Sequence, residues 1–162
     1  GHSEQRTYFG ETDATVNKKV RKVQSLDMTP IICIGETLAE RKDGRLESVL
    51  TTQVNGAYEG LAADDALRTI IAYEPVWAIG TGVTASDDEA QQAHAFVRSL
   101  LAIRYGEDVA QSISIQYGGS MKPENAAGLL AQTDIDGGLI GGAALKADSF
   151  LGIVTPGESI SK

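Results

Sequence analysis

The chain has 162 residues, 42% of them hydrophobic, enough for one domain that buries roughly two thirds of its unfolded surface if it closes on itself. Lys and Arg total 14 against 22 Asp and Glu, and the net charge of −8 disfavours non-specific nucleic-acid binding and adhesion to anionic membranes. The single cysteine, Cys33, excludes an intrachain disulfide, and with no apolar run of transmembrane length and no basic, apolar leader the expectation is a soluble, cytoplasmic chain.

The first residues, Gly1-His2-Ser3-Glu4-Gln5-Arg6, read as the loop that follows a strand. Thr12 or Asp13 then caps a helix whose apolar positions, Val16, Val20 and Val23, form a narrow stripe among Lys18, Lys19, Arg21 and Lys22. Such a stripe needs a sheet to lie on. Thr29 to Ile34 is a continuous apolar run ended by Gly35-Glu36-Thr37, which predicts a strand buried on both faces. Leu46, Val49, Leu50 and Val54 repeat at helical spacing, with Gly60 near the end of that helix.

Next, the β-branched run Thr69-Ile70-Ile71 delivers Glu74 and halts at Pro75, which biases the acid towards extended backbone and cannot continue a ladder. The carboxylate is thereby presented at the C-terminal end of a strand. Val76, Trp77 and Ile79 are large apolar groups in a loop, and Gly80 and Gly82 give it backbone freedom, so the stretch reads as a lid. Ser86 with Glu89 forms a capping box for a helix with Ala90, Ala93, Phe96, Val97, Leu100 and Leu101 on its apolar face. Ser112 to Tyr117 is the next strand, running into Gly118-Gly119-Ser120. Pro123 starts another helix, Ile135 to Ile140 is a last short strand feeding Gly141-Gly142, and a final helix lies around Ser149 to Val154. Strands alternating with helices of 10–15 residues indicate four β/α units on a parallel sheet, with an extra helix in front.

In such an array the strand-to-helix loops share one side, so His2, the Cys33–Glu36 segment, Glu74, Tyr117–Ser120 and Gly141-Gly142 are expected to converge. Through GHSEQR, IICIGET, AYEPVWAIGTG, QYGGSMKPENA and DGGLIGGAAL the chain resembles the C-terminal part of the triosephosphate isomerase family. The resemblance implies a partial (β/α)8 TIM barrel, contributing strands five to eight and helices four to eight of a parallel sheet, as one domain over residues 1–162. It implies interconversion of glyceraldehyde 3-phosphate and dihydroxyacetone phosphate, a glycolytic and gluconeogenic step, by proton transfer through an enediolate, with neither metal nor cofactor. Glu74 takes the place of the base, and His2 that of a neutral imidazole that polarises the carbonyl and is kept from protonating by a nearby helix N-terminus. Glu4 takes the place of a supporting acid. The phosphate falls to backbone N–H groups at Gly80, Ser120, Gly141 and Gly142, the last two opening the final helix.

The sequence departs from the family pattern at Gln5, where an Arg is usual, at Val83 in the lid, at Ser86-Asp87-Asp88 in place of a Thr-Pro turn, and by small-for-small changes at Gly138 and Ala144. In the family four further strands precede the His2 loop, and the first supplies an Asn and a Lys that face the substrate; no segment here matches them. Removing one such preorganised group costs on the order of 10² to 10³ in rate, so weak or absent turnover is expected from this chain alone. Four strands also leave bare edges and an inner layer of Ile, Val and Leu facing water, which predicts a homodimer or pairing with a complementary half-barrel. The alternatives are a non-catalytic half-barrel that holds phosphorylated ligands, and a piece that only folds.

Overall fold

The structure, a computed structural model, describes residues 1–81 and 83–158. Helix α1 (Ser3–Phe9) starts directly after His2 and stops at Gly10, whose φ of +65° is a left-handed cap. Helix α2 (Asp13–Gln24) is capped by Thr12, which exchanges hydrogen bonds with Thr15, and buries Val16 and Val20 against α4. Strand β1 (Ile31–Ile34) leads through Thr37 into the short α3 (Leu38–Lys42) and then α4 (Leu46–Ala57), which buries Leu50 and Val54. The helix predicted from Leu46, Val49, Leu50 and Val54 is thus preceded by a separate turn of helix. After α5 (Ala63–Ala66) come β2 (Ile70–Tyr73) and a 3₁₀ turn at Val76–Ala78. The long α6 (Asp87–Tyr105) follows, opened by the predicted Ser86/Glu89 capping box, and a further short helix, α7 (Glu107–Ser112), precedes the next strand. The last units are β3 (Ser114–Tyr117), α8 (Pro123–Leu130), β4 (Gly137–Gly138), a 3₁₀ turn at Gly142–Leu145 and α9 (Ala147–Glu158).

All four strands are parallel, in the order β1-β2-β3-β4. The register places Ile31, Ile70 and Ser114 side by side, and likewise Cys33, Ala72 and Gln116. Because successive side chains alternate faces, the other set, Ile32 and Ile34, Ile71 and Tyr73, Ile115 and Tyr117, lies on the opposite face and joins the helices in a single core. This is an α/β layer as expected, consistent with part of a barrel wall.

Three expectations hold only in part. β1 is not buried throughout: Ile31 at its start is 46% exposed. The inner face is only in part a layer of large aliphatics: Ile31 and Ile70 stand there, but the rest of that face is Cys33, Ala72, Ser114 and Gln116, the other large aliphatics lying on the helix-packed face. The last strand is also shorter than the predicted Ile135–Ile140, only Gly137 and Gly138 pairing with β3.

Candidate functional site

Glu74 is the residue after β2. Its amide donates to the Ile34 carbonyl at 2.7 Å, which extends the ladder by one step, and Pro75 then turns the chain away. The side chain is 3% exposed and is held from two sides. The Ser3 N–H donates to Oε2 at 2.8 Å, and His2 Nε2 lies 3.2 Å from Oε1. Only glycine fits beside it. A Cβ on Gly118 would stand 2.8 Å from Glu74 Cγ, and one on Gly35 would stand 1.8 Å from the Glu74 carbonyl oxygen.

His2 caps α1 with its own ring. Nδ1 accepts the Glu4 N–H at 3.2 Å, so a neutral imidazole here carries its proton on Nε2 and donates it to Glu74. The ring is 45% exposed and reaches into a cavity of about 530 Å³. Six of the seven residues expected from the sequence line that cavity: His2, Glu74, Gly80, Ser120, Gly141 and Gly142. The seventh, Glu4, is exposed and lies off the cavity wall, its amide rather than its carboxylate touching the site through His2. Lys122 and Ile79 line the wall as well, neither of them anticipated there.

The glycine segments depart from expectation in detail. Gly141 and Gly142 open the 3₁₀ turn Gly142–Leu145, and α9 starts only at Ala147. The Ser120 N–H already donates to the Ala78 carbonyl at 3.1 Å, which ties the Gly118–Ser120 loop to the start of the lid. Gly80 has a φ of +66°, left-handed backbone that favours glycine, whereas Gly82 lies outside the described residues.

Sequence reading missed what holds the lid down. Fully buried Glu36, two residues beyond β1, accepts from the Tyr73 hydroxyl at 2.9 Å, from Trp77 Nε1 at 2.8 Å and from Arg41 Nη1 at 3.3 Å. The Arg41 guanidinium also lies 4.7 Å from the centre of the Trp77 ring and donates to Glu89 at 2.7 Å. Glu89 is the capping-box acid of α6, so one arginine clasps both ends of the segment between Trp77 and Ser86. The Ser86 backbone amide, followed by Arg41, holds the Glu89 carboxyl below its ordinary range. An acid at a strand's end gave a faint signal for Glu36; nothing local marked Arg41.

Burial, reinforced by the Glu74 charge, pushes the Cys33 thiol up to about 12, which leaves it a neutral wall residue and not a nucleophile. Burial likewise drives the Tyr73 phenol up, with the Glu36 charge adding to it. Among the described residues no group of three or more His, Cys, Asp or Glu is placed to hold a metal ion, and no helix is long and apolar enough to cross a membrane.

Comparison with known proteins accounts for this arrangement. The family model described as triosephosphate isomerase matches residues 1–156. The chain is 57% identical over 154 residues to a triosephosphate isomerase of Chlorobium phaeovibrioides, covering 95% of this chain and 61% of that protein. It is 55% identical over 158 residues to one of Fusobacterium nucleatum, covering 98% and 63%, and 55% identical over 154 residues to one of Geobacter metallireducens, covering 95% and 61%. The chain therefore spans a little over three fifths of the length of these curated relatives. With a match over nearly all of its residues, and with a carboxylate, an imidazole and three glycine-bearing loops facing one hollow, the chain belongs to the triosephosphate isomerase family.

Proposed function

We propose that the cavity is the proton-transfer and phosphate-holding side of a triosephosphate isomerase centre acting on glyceraldehyde 3-phosphate and dihydroxyacetone phosphate. Glu74 removes the proton from C1 of the ketose, the C–H electrons form the enediolate, and the same carboxyl returns the proton to C2 while the C1 hydroxyl gives up its proton and the C2 oxygen gains one, which leaves the aldose. A base on a strand end, shielded by an apolar lid, suits that shuttle. His2, with its proton on Nε2, donates to the carbonyl oxygen as negative charge develops there, and the Glu4 amide fixes the tautomer that makes this donation possible.

The phosphate falls to the backbone of Gly80, Ser120, Gly141 and Gly142. A Cβ on Gly141 or Gly142 would meet no protein atom within 4 Å, so packing alone does not demand glycine there, and a close-approaching anion supplies the reason. Engaging Ser120 requires its amide to leave Ala78, which couples ligand binding to movement of the lid's first residues. We further propose that residues 1–162 act as one domain and that the chain pairs with a second copy or with a complementary half-barrel. The family's place in central sugar metabolism supports a cytoplasmic location.

The observation that carries this reading is the 3.2 Å approach of His2 Nε2 to Glu74 in a cavity shared with the glycine loops. It is tested by calorimetry with a phosphorylated two-carbon acid, whose carboxylate mimics the enediolate, and by isomerase assay with and without a polypeptide matching the part of the relatives that this chain does not span. Binding by the chain, with turnover in the complemented protein that falls by roughly 10² to 10⁴ in Glu74→Gln, is expected. Binding that never leads to turnover would leave a phosphate-binding half-barrel instead, and absence of binding would remove both readings.

A further inference from the structure

Among the described residues that line the cavity, Lys122 is the only lysine or arginine. Local sequence sets its place. Pro123 follows it and biases its backbone to the extended conformation, observed at φ −138° and ψ 164°, and the same proline opens α8. Asn125, in the first turn of α8, reaches back across the bend. The Lys122 N–H donates to Asn125 Oδ1 at 2.7 Å, and Asn125 Nδ2 donates to the Ser120 carbonyl at 3.0 Å. Met121, between them, is 4% exposed and anchors the segment in the core. Lys122 is thus fixed to the Gly118–Ser120 wall by its backbone, while the residue itself stays exposed.

Other polar groups on the cavity wall are already engaged. The Ser120 N–H serves the Ala78 carbonyl, and the Glu74 carboxylate is shared between the Ser3 N–H and His2. Away from the cavity, long cations are spent on acids: Lys19 on Glu11, Arg41 on Glu36 and Glu89, Arg98 on Asp134 and Asp136. Lys122 is in no ion pair among the described residues. An ammonium with no carboxylate of its own, on the wall of a ligand-sized hollow, is complementary to an anion.

The charge balance gives that ammonium a task. A phosphate monoester carries about −1.5 to −2 at pH 7, and it approaches a chain of net charge −8 and a cavity that already holds Glu74. Backbone N–H groups give such a ligand direction but no opposite charge. Lys122 supplies that charge, two residues from the Ser120 amide, and no existing ion pair has to break first.

We propose that Lys122 is the counter-charge for the phosphate in this cavity, a binding and specificity residue that pairs with the dianion beside the backbone of Ser120, Gly141 and Gly142. This role rests on the cavity taking a triose phosphate, as set out above, and adds to it the side chain that offsets the ligand's charge.

The test is calorimetry on the full chain with the phosphorylated two-carbon acid and, separately, with inorganic phosphate, each at low and at raised ionic strength. Lys122→Gln is expected to raise the dissociation constant for both probes by about five- to tenfold at low salt, and by less at raised salt, where the pair is screened. Lys122→Arg should keep wild-type binding. Lys22→Gln, which removes the same charge from α2 at a residue that does not line the cavity, should change neither constant. In the wild-type protein the Lys122 Cε resonance, followed by ¹³C nuclear magnetic resonance, should move on saturation with either probe. If the wild type binds while Lys122→Gln binds equally well, Lys22→Gln weakens binding as much, Lys122→Arg is as weak as Lys122→Gln, or the loss is confined to the two-carbon acid, the role of Lys122 is overturned and the phosphate cavity stands. A Cε resonance unmoved at saturation has the same meaning and decides the matter even where a variant fails to fold. Failure of the wild type to bind either probe removes the phosphate cavity itself, and this role with it.

Discussion

Glu74 owes its placement to neighbours that have no side chain. Gly118 lies so near Glu74 Cγ that even a methyl group must displace the carboxylate or the β2–β3 backbone, and no rotamer of alanine relieves that. Gly118→Ala is expected to weaken binding of the two-carbon phosphate acid by more than about tenfold, read by calorimetry, with a stability loss of about 1–3 kcal/mol for the overpacking. His94 sets a second residue-scale expectation. Its ordinary value is 6.5 and burial in the fold takes it to about 4. The unfolded chain thus binds the proton first, and stability present above pH 6.5 is lost as the pH falls towards 4. The full shift corresponds to about 3 kcal/mol. The charged groups facing the ring, Asp134, Asp136 and Arg98, are themselves joined in ion pairs. Urea denaturation at pH 7 and pH 5 should show the fall, and in His94→Gln the slope should flatten.

Between residue and chain stands the clasp under the lid. Glu36 gathers Tyr73 from β2, Trp77 from the lid and Arg41 from α3, and Arg41 extends it to Glu89 at the head of α6. Glu36→Ala leaves a phenol and an indole N–H without their acceptor inside the protein, so a loss of about 2–3 kcal/mol is expected in thermal or chemical denaturation followed by circular dichroism. Glu36→Gln, which keeps one carbonyl acceptor, should recover part of it. The elements themselves were largely legible in the sequence: the Ser86/Glu89 box, the Thr12 cap and the halt at Pro75 are local signals with local causes. What escaped was assembled over distance. Arg41 and Glu89 are 48 residues apart, and no periodicity in either segment announces their meeting. The inner face was foreseen only in part, through Ile31 and Ile70, because an apolar run in β1 does not say which of its alternate residues will meet helices. That six of the seven candidate residues gather on one cavity was legible because strand ends share an address in any parallel α/β layer, whereas the engaged Ser120 amide depends on how the Val76–Ala78 turn lies.

At the scale of the molecule, β1 is bonded only to β2 and β4 only to β3 among the described residues, so the sheet has two open edges. Tyr8 and Phe9, at the end of α1, are each 74% exposed, and His2 and Ser3 sit at that helix's start. Adjacent aromatics standing so far into water fit a surface that another chain covers. Tyr8→Asp with Phe9→Asp is expected to shift self-association or pairing with a complementary half-barrel by tenfold or more in dissociation constant, about 1.4 kcal/mol or more, measured by light scattering or sedimentation. A wild-type chain that stays monomeric and well folded at high concentration, and that ignores the complementing polypeptide, would count against this.

The chain contains one tryptophan, and the fold has put it at the base of the lid, hydrogen-bonded to a buried carboxylate and stacked beneath a guanidinium. Its emission therefore comes from a single known place and is quenched or released by the very contacts that hold the loop. The protein carries its own optical gauge of this segment: a change in wavelength or intensity on adding a phosphorylated ligand would report a change at the Val76–Ala78 turn, with no dye attached and no second fluorophore of its kind to subtract.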